Sequence, residues 1–198
     1  MRDYERVLSN ILRELYTGNG MDLTAPYHFV RRIPYGSTGQ RDPLIVYETN
    51  QGSCSGKHIL LRDLLRAVGL EANIITILTH FNKRIPIHES MPGQLIDIIA
   101  NEEVPDYHHF VRTKDTAGHL VDLDATWHDR LIAYGFPVNM RWDGFGDTEL
   151  AGQPIQEFPI HEDIPNQKVQ LLRQLSGKEL QLREDFLTLL SDWFATID

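Results

Sequence analysis

Residues Gly52 to Leu78, GSCSGKHILLRDLLRAVGLEANIITIL, constrain the fold more than any other stretch of this sequence. After Cys54 the apolar residues Leu60, Leu61, Leu64, Leu65 and Val68 fall at three- and four-residue steps, which predicts an amphipathic helix facing a core. Gly69 supplies a C-terminal stop, and the β-branched run from Ala72 to Leu78 predicts a buried strand behind it. The helix starts at the chain's only cysteine, Cys54, set between Gly52 and Gly56. Helix N-termini gather unsatisfied N–H groups and partial positive charge, which favour a thiolate over a thiol. A cysteine there is a candidate nucleophile, set against the plainer reading of a small buried hydrophobe. Residues elsewhere must decide between them.

At 198 residues, 41% of them hydrophobic, the chain is long enough for one domain over 1–198 with a substantial core. The formal net charge of -9 argues against nucleic acid or anionic lipid as partner, since both require a positive surface. A single cysteine excludes an internal disulfide and the usual multi-cysteine zinc sites. The start, Met1-Arg2-Asp3-Tyr4-Glu5, carries no apolar stretch of signal-peptide type, and no run approaches the roughly 18 apolar residues of a membrane span. A cytoplasmic, reduced protein is expected, with no membrane partner.

Along the chain, Tyr4, Val7, Leu8, Ile11, Leu12 and Leu15 predict a first helix stopped by Gly18-Asn19-Gly20. Residues 21–49, with prolines at 26, 34 and 43 and a turn at Gly36 to Gly39, read as loops with short helical or extended pieces. The segment from His80 to Pro105 reads as an insertion of the kind that shapes a cleft, with one apolar run at Leu95 to Ala100. Strands are expected at His109 to Arg112 and Leu120 to Leu123, joined by a turn at Asp115 to Gly118. From Trp127 to Pro165 little regular structure is expected. Residues 166–198 form a helical extension, divided at Gly177, whose apolar face suits a packing layer or a homo-oligomer surface better than a direct part in chemistry.

Thiol chemistry on an acyl group needs a thiolate, an imidazole to accept and return the proton, and a third polar group to fix the imidazole. The sequence supplies Cys54, then His108-His109-Phe110, then Leu123-Asp124-Ala125-Thr126. A hairpin symmetric about residue 116 sets His108 opposite Asp124. Alternation sends His108 and His109 to opposite faces, so a one-residue slip exchanges them. Asp122 shares the face of Asp124 and is the alternative acid.

These blocks resemble the transglutaminase-like superfamily. Its G-x-C helix start with an R-x-x-G-[IL] ending is matched by Cys54 and Arg66-Ala67-Val68-Gly69-Leu70. Its H-x-W is matched by His108-His109-Phe110, with Phe for Trp, and its D-[PA]-T by Asp124-Ala125-Thr126. The resemblance covers about residues 40–127. It implies an α+β, papain-like core, with the cysteine at the N-terminus of a central helix packed on an antiparallel sheet and extra helices at both ends. It further implies Cys54 as nucleophile, His108 as base and then acid (alternate His109), and Asp124 as orienting residue (alternate Asp122). The Cys54 backbone N–H is the expected oxyanion donor, with Gln51 or Asn50 as candidate second donor. The expected activity is hydrolysis of a peptide, protein or small amide through a Cys54 thioester, ahead of transamidation. A binding or scaffold domain that retained the fold is the alternative.

His58, one turn after Cys54, reads as a semi-buried packing histidine rather than a second base. Gly52 to Lys57 fails the phosphate-loop pattern, because Gln51 stands where its first glycine belongs and His58 where its hydroxyl residue belongs. The histidines form no H-E-x-x-H or close helical pair, so neither a metal nor a cofactor is expected.

Overall fold

The computed structural model describes residues 2–16, 22–37 and 39–197. The first helix, α1 (Arg2–Leu15), follows its apolar stripe, while the Gly18-Asn19-Gly20 stop lies outside the described residues. Two short helices form where mostly loop was expected. In α2 (Thr24–Arg32), Asp22 Oδ1 accepts from the backbone N–H of Thr24 at 2.9 Å and of Ala25 at 3.1 Å, satisfying two first-turn donors. In α3 (Pro43–Thr49), Asp42 accepts from Leu44 N, Pro43 opens the first turn, and Asn50 closes the helix at φ 48°. Only α3 carries the Asp-then-Pro signature of a helix start.

The central helix, α4 (Cys54–Ala67), buries Cys54 to Leu61 without a break, together with Leu64 and Leu65. Gly69 takes φ +86°, the left-handed turn that glycine adopts without strain. There the Leu70 N–H donates back to the Leu65 carbonyl at 3.0 Å.

The sheet has four antiparallel strands, β1 (Ala72–His80), β2 (Pro105–Lys114), β3 (Leu120–Leu123) and β4 (Gln156–Phe158), in the order β3-β2-β1-β4. The protein is therefore α+β. β2 is longer than the sequence pattern suggested, and β4 adds an edge to the segment expected to lack regular structure. Helix α5 (Gly93–Asn101) takes up the apolar run at 95–100. The chain ends in α6 (Ile164–Leu172) and α7 (Gly177–Ile197).

One apolar cluster joins Leu60, Leu61, Leu64 and Leu65 of α4 to Ile74, Val111 and Leu123 of the sheet, with Ile11, Tyr27 and Val30 closing it from α1 and α2. A second surrounds Cys54 with Tyr35, Phe81, Leu95 and Trp127, and takes in Phe186, Leu190, Trp193 and Phe194 of α7. The apolar face of α7 is thus spent inside its own chain, as a packing layer. Val169 of α6, part of the helical extension expected to pack or to pair with a second copy, stays 38% exposed. No helix among the described residues is long and apolar enough to cross a membrane.

Candidate active site

The start of α4 is set by close packing. A Cβ on either Gly52 or Gly56 would lie 2.7 Å from Val46 Cγ2, nearer than carbon atoms approach, so α3 can lie this close only to glycine. Pro34 and Gly36 pair with Gly52 through two backbone hydrogen bonds of 3.1 Å, which hold Tyr35 alongside. Beneath, the buried Lys57 ammonium donates to the carbonyls of Ile33 at 2.6 Å and Thr126 at 2.8 Å, tying α4 to the segment that follows β3. Burial pushes the Lys57 pKa down to about 7, opposed by the Asp124 charge.

The hairpin of β2 and β3 turns about residue 117, since Val111 faces Leu123 and Thr113 faces Val121. This is a two-residue shift from the expected register about 116, which set His108 opposite Asp124. A shift of two preserves the face of every side chain, and His108 Nε2 still donates to Asp124 Oδ2 at 2.7 Å. The same carboxylate accepts from Ala151 N at 2.7 Å and from Thr126 N at 2.9 Å. Burial pushes the Asp124 carboxyl up, but the His108 charge and hydrogen bond, aided by His58, hold it well below the usual carboxylate range.

With Nε2 committed to Asp124, His108 has only Nδ1 to offer a proton. That nitrogen is buried without a hydrogen bond of conventional distance and angle. The charges of His108 and Cys54 nonetheless act on one another. Burial opposes the thiolate, yet His108 and then the Lys168 charge bring the Cys54 pKa below its ordinary value. Burial likewise opposes the imidazolium, yet Asp124 and the thiol push His108 up to about 10. Phe81 stacks on the His108 ring at 5.6 Å between centroids and forms an apolar wall beside it. Phe110 instead packs with Ile75 and Ile77 in a separate cluster.

The alternates go elsewhere. His109 Nδ1 lies 3.1 Å from Ser55 Oγ, and burial, with the nearby Lys168 and His108 charges, holds its pKa well below normal. Asp122 makes a two-pronged ion pair with Arg112 at 2.7 and 2.9 Å. His58 is fully buried rather than semi-buried. Its Nε2 accepts from Ala125 N at 2.8 Å, which leaves Nδ1 to donate to the Cys54 carbonyl at 2.7 Å. Both nitrogens of a neutral ring are thereby used, and burial pushes its pKa down to about 4. Asn50 and Gln51 are exposed, and neither lines the cleft at Cys54. The expected second oxyanion donor is therefore not found in these two side chains.

That cleft, of about 20 Å³, is bounded by Tyr35, Ser53, Cys54, Ser55 and a charged group the sequence reading did not single out: Arg41, Asp106, Lys168 and Arg183. Lys168 Nζ and Arg183 Nε each donate to Asp106 Oδ1 at 2.7 Å. Lys168 comes from α6 and Arg183 from α7, so the C-terminal helices wall the cleft as well as pack the core. No residue between His80 and Pro105 lines it, so the expected cleft-forming insertion instead packs with the core around Cys54. Gly39 and Arg41 also border a larger open groove of about 770 Å³ between α1, the loop before α3, and α6. Among the described residues no cluster of side chains suits a metal ion. Compared with known proteins, the sequence matches no family model and no curated relative.

Proposed function

We propose that this protein is a thiol-dependent acyl-transfer enzyme of transglutaminase-like, papain-like type, acting as an amide hydrolase through a Cys54 thioester. The observation that carries the reading is the chain Cys54–His108–Asp124. One imidazole nitrogen is fixed by a buried carboxylate at 2.7 Å, and the charge of that ring favours the thiolate of Cys54, whose pKa lies below its ordinary value.

In this mechanism the Cys54 thiolate attacks the carbonyl carbon of the amide, forming a C–S bond and a tetrahedral oxyanion. The oxyanion sits at the first turn of α4, where the Cys54 N–H has no intrahelical acceptor. The C–N bond breaks as His108 Nδ1 gives its proton to the leaving amine. Water then attacks the thioester and gives a proton to His108. The C–S bond breaks, releasing the carboxylic acid and restoring the thiolate–imidazolium pair. An amine in place of water gives transamidation by the same steps. Asp124 holds the ring with Nδ1 toward the sulfur throughout, and Phe81 shields it from water.

The test is acyl-enzyme capture with p-nitrophenyl acetate. The reading expects a burst of one equivalent of p-nitrophenol and one acetyl group on Cys54 by mass after acid quench, both absent in Cys54→Ala. Release without a burst, or acetylation unchanged in Cys54→Ala, would contradict it and leave the binding-domain alternative.

A further inference from the structure

The cleft beside Cys54 is cationic in a chain that is not. Arg41, Lys168 and Arg183 line it with a single carboxylate, Asp106, which pairs with Lys168 and Arg183, an excess of two positive charges where the whole sequence carries -9. The thiolate and imidazolium cancel one another. Including Asp124 behind them still leaves one positive charge in excess.

The geometry shows where this excess is available. The Asp106 and Lys168 side chains are almost wholly buried, at 3% and 2% exposure, and Lys168 spends a further proton on the Tyr107 carbonyl. Arg183, 12% exposed, uses only Nε on Asp106. Its two terminal nitrogens make no hydrogen bond to any described residue. Arg41 makes neither a hydrogen bond nor an ion pair with any described residue, although it lines both the cleft and the groove beyond. Holding cations out of water without an equal number of anions is costly. A guanidinium fork presents paired donors that match a planar carboxylate. A cleft of about 20 Å³ admits only a small head group at its mouth and no bulky side chain.

We infer that the acyl donor carries a carboxylate close to its scissile carbonyl, held by the free guanidinium edges of Arg41 and Arg183 above the Lys168–Asp106 pair. The remainder of the substrate lies in the groove that continues past Gly39 and Arg41. The inference rests on the thiol reading of Cys54 and specifies its substrate class. Burial lowers the Lys168 pKa, and a bound carboxylate would raise it again, which strengthens the grip once the anion is seated.

Cys54 is the only cysteine, so intact mass reports its alkylation directly. The experiment compares the rates of iodoacetate, an anion, and iodoacetamide, its neutral counterpart. Native protein, Arg41→Gln, Arg183→Gln and the remote control Arg84→Gln are used at one pH and ionic strength. The ratio of the two rates cancels any change in thiolate fraction. The expected result is a ratio favouring iodoacetate by about tenfold in the native protein and in Arg84→Gln, equivalent to one strong charge-assisted contact. It falls to one or below in each of the other two variants. Arg41 has no partner to lose, so its variant keeps the test open if Arg183→Gln does not fold. Fast reaction with both reagents, with iodoacetamide preferred or with a ratio unmoved by either variant, would overturn the carboxylate site while leaving the reactive thiol standing. Slow reaction with both would overturn the thiol reading and the inference with it.

Discussion

His108 Nε2 and Asp124 Oδ2 lie 2.7 Å apart although the ladder does not set the two residues opposite each other. Val111 faces Leu123, and extending that register places Asp124 beside Phe110. The contact is diagonal, between neighbours two residues out of step on one face of the sheet, within reach of an imidazole and a carboxylate. The cross-strand partner of His108 therefore lies just beyond the end of β3. There the backbone is free to turn, and Thr126 N can fold back on Asp124 Oδ1 at 2.9 Å.

Removing the carboxylate charge without its shape tests this geometry. In Asp124→Asn the amide presents an N–H₂ or an oxygen to His108, and the ring no longer has a charge to stabilise its imidazolium. Acyl transfer is expected to fall roughly 10³- to 10⁴-fold, measured as the burst rate with p-nitrophenyl acetate. Asp124→Ala leaves a buried ring and two buried N–H groups unpaired, and should also lower unfolding stability by about 3–5 kcal/mol, read from urea titration.

The buried histidines set the pH limits of stability. Burial holds His58 at about 4 in the folded protein, against about 6.5 unfolded. Between these values only the unfolded chain takes up the proton, so stability falls as pH drops from 6.5 toward 4, by roughly 3 kcal/mol at most. The sign reverses for His108, raised to about 10. Its contribution is present in full below 6.5 and is lost as pH rises through 10. Asp124, held low, adds stability that is present above about 3.9 and disappears as pH falls through its folded value. Chemical denaturation across pH 4–10 should show both limbs, and His58→Asn should flatten the acid one.

Close packing at the cysteine gives a mutational cycle. Gly56→Ala drives a methyl group to 2.7 Å from Val46 Cγ2 and should cost about 1–3 kcal/mol. Val46→Ala alone opens a cavity and should cost a similar amount. Together they should cost less than the sum, because the smaller Val46→Ala side chain makes room for the new methyl. Additive effects in thermal or urea unfolding would contradict the contact.

The sequence made visible what is local. Apolar spacing marked α1 and α4, Gly69 marked the end of α4, and β-branched and turn residues marked β1 and the β2–β3 hairpin. The short helices α2 and α3 were obscured by their prolines, although Asp22 and Asp42 carry the capping signal. Strand β4, three residues long, has too little pattern to read. Register was missed by two residues because turn geometry, not composition, sets it. The far wall of the cleft depended on tertiary contacts, yet a trace of it was present. Lys168 falls between the buried Ile164 and Leu171 on one face of α6, and Arg183 continues the buried stripe of Leu187, Leu190 and Phe194 on α7. A cation in an apolar stripe marks a buried partner or a site. The spacing was legible, whereas its partner Asp106 lies far away in sequence.

The most direct measurement is the pH dependence of iodoacetamide alkylation at Cys54 in the native protein and in His108→Ala, His109→Ala and Asp124→Ala. The account predicts rapid alkylation that persists well below the ordinary thiol pKa of about 8.5. It also predicts loss of that reactivity in His108→Ala, weakening in Asp124→Ala and retention in His109→Ala, whose ring bonds Ser55 instead. Slow reaction confined to pH above 8.5, the same in all four proteins, would contradict the central claim that His108 and Asp124 hold Cys54 as a thiolate.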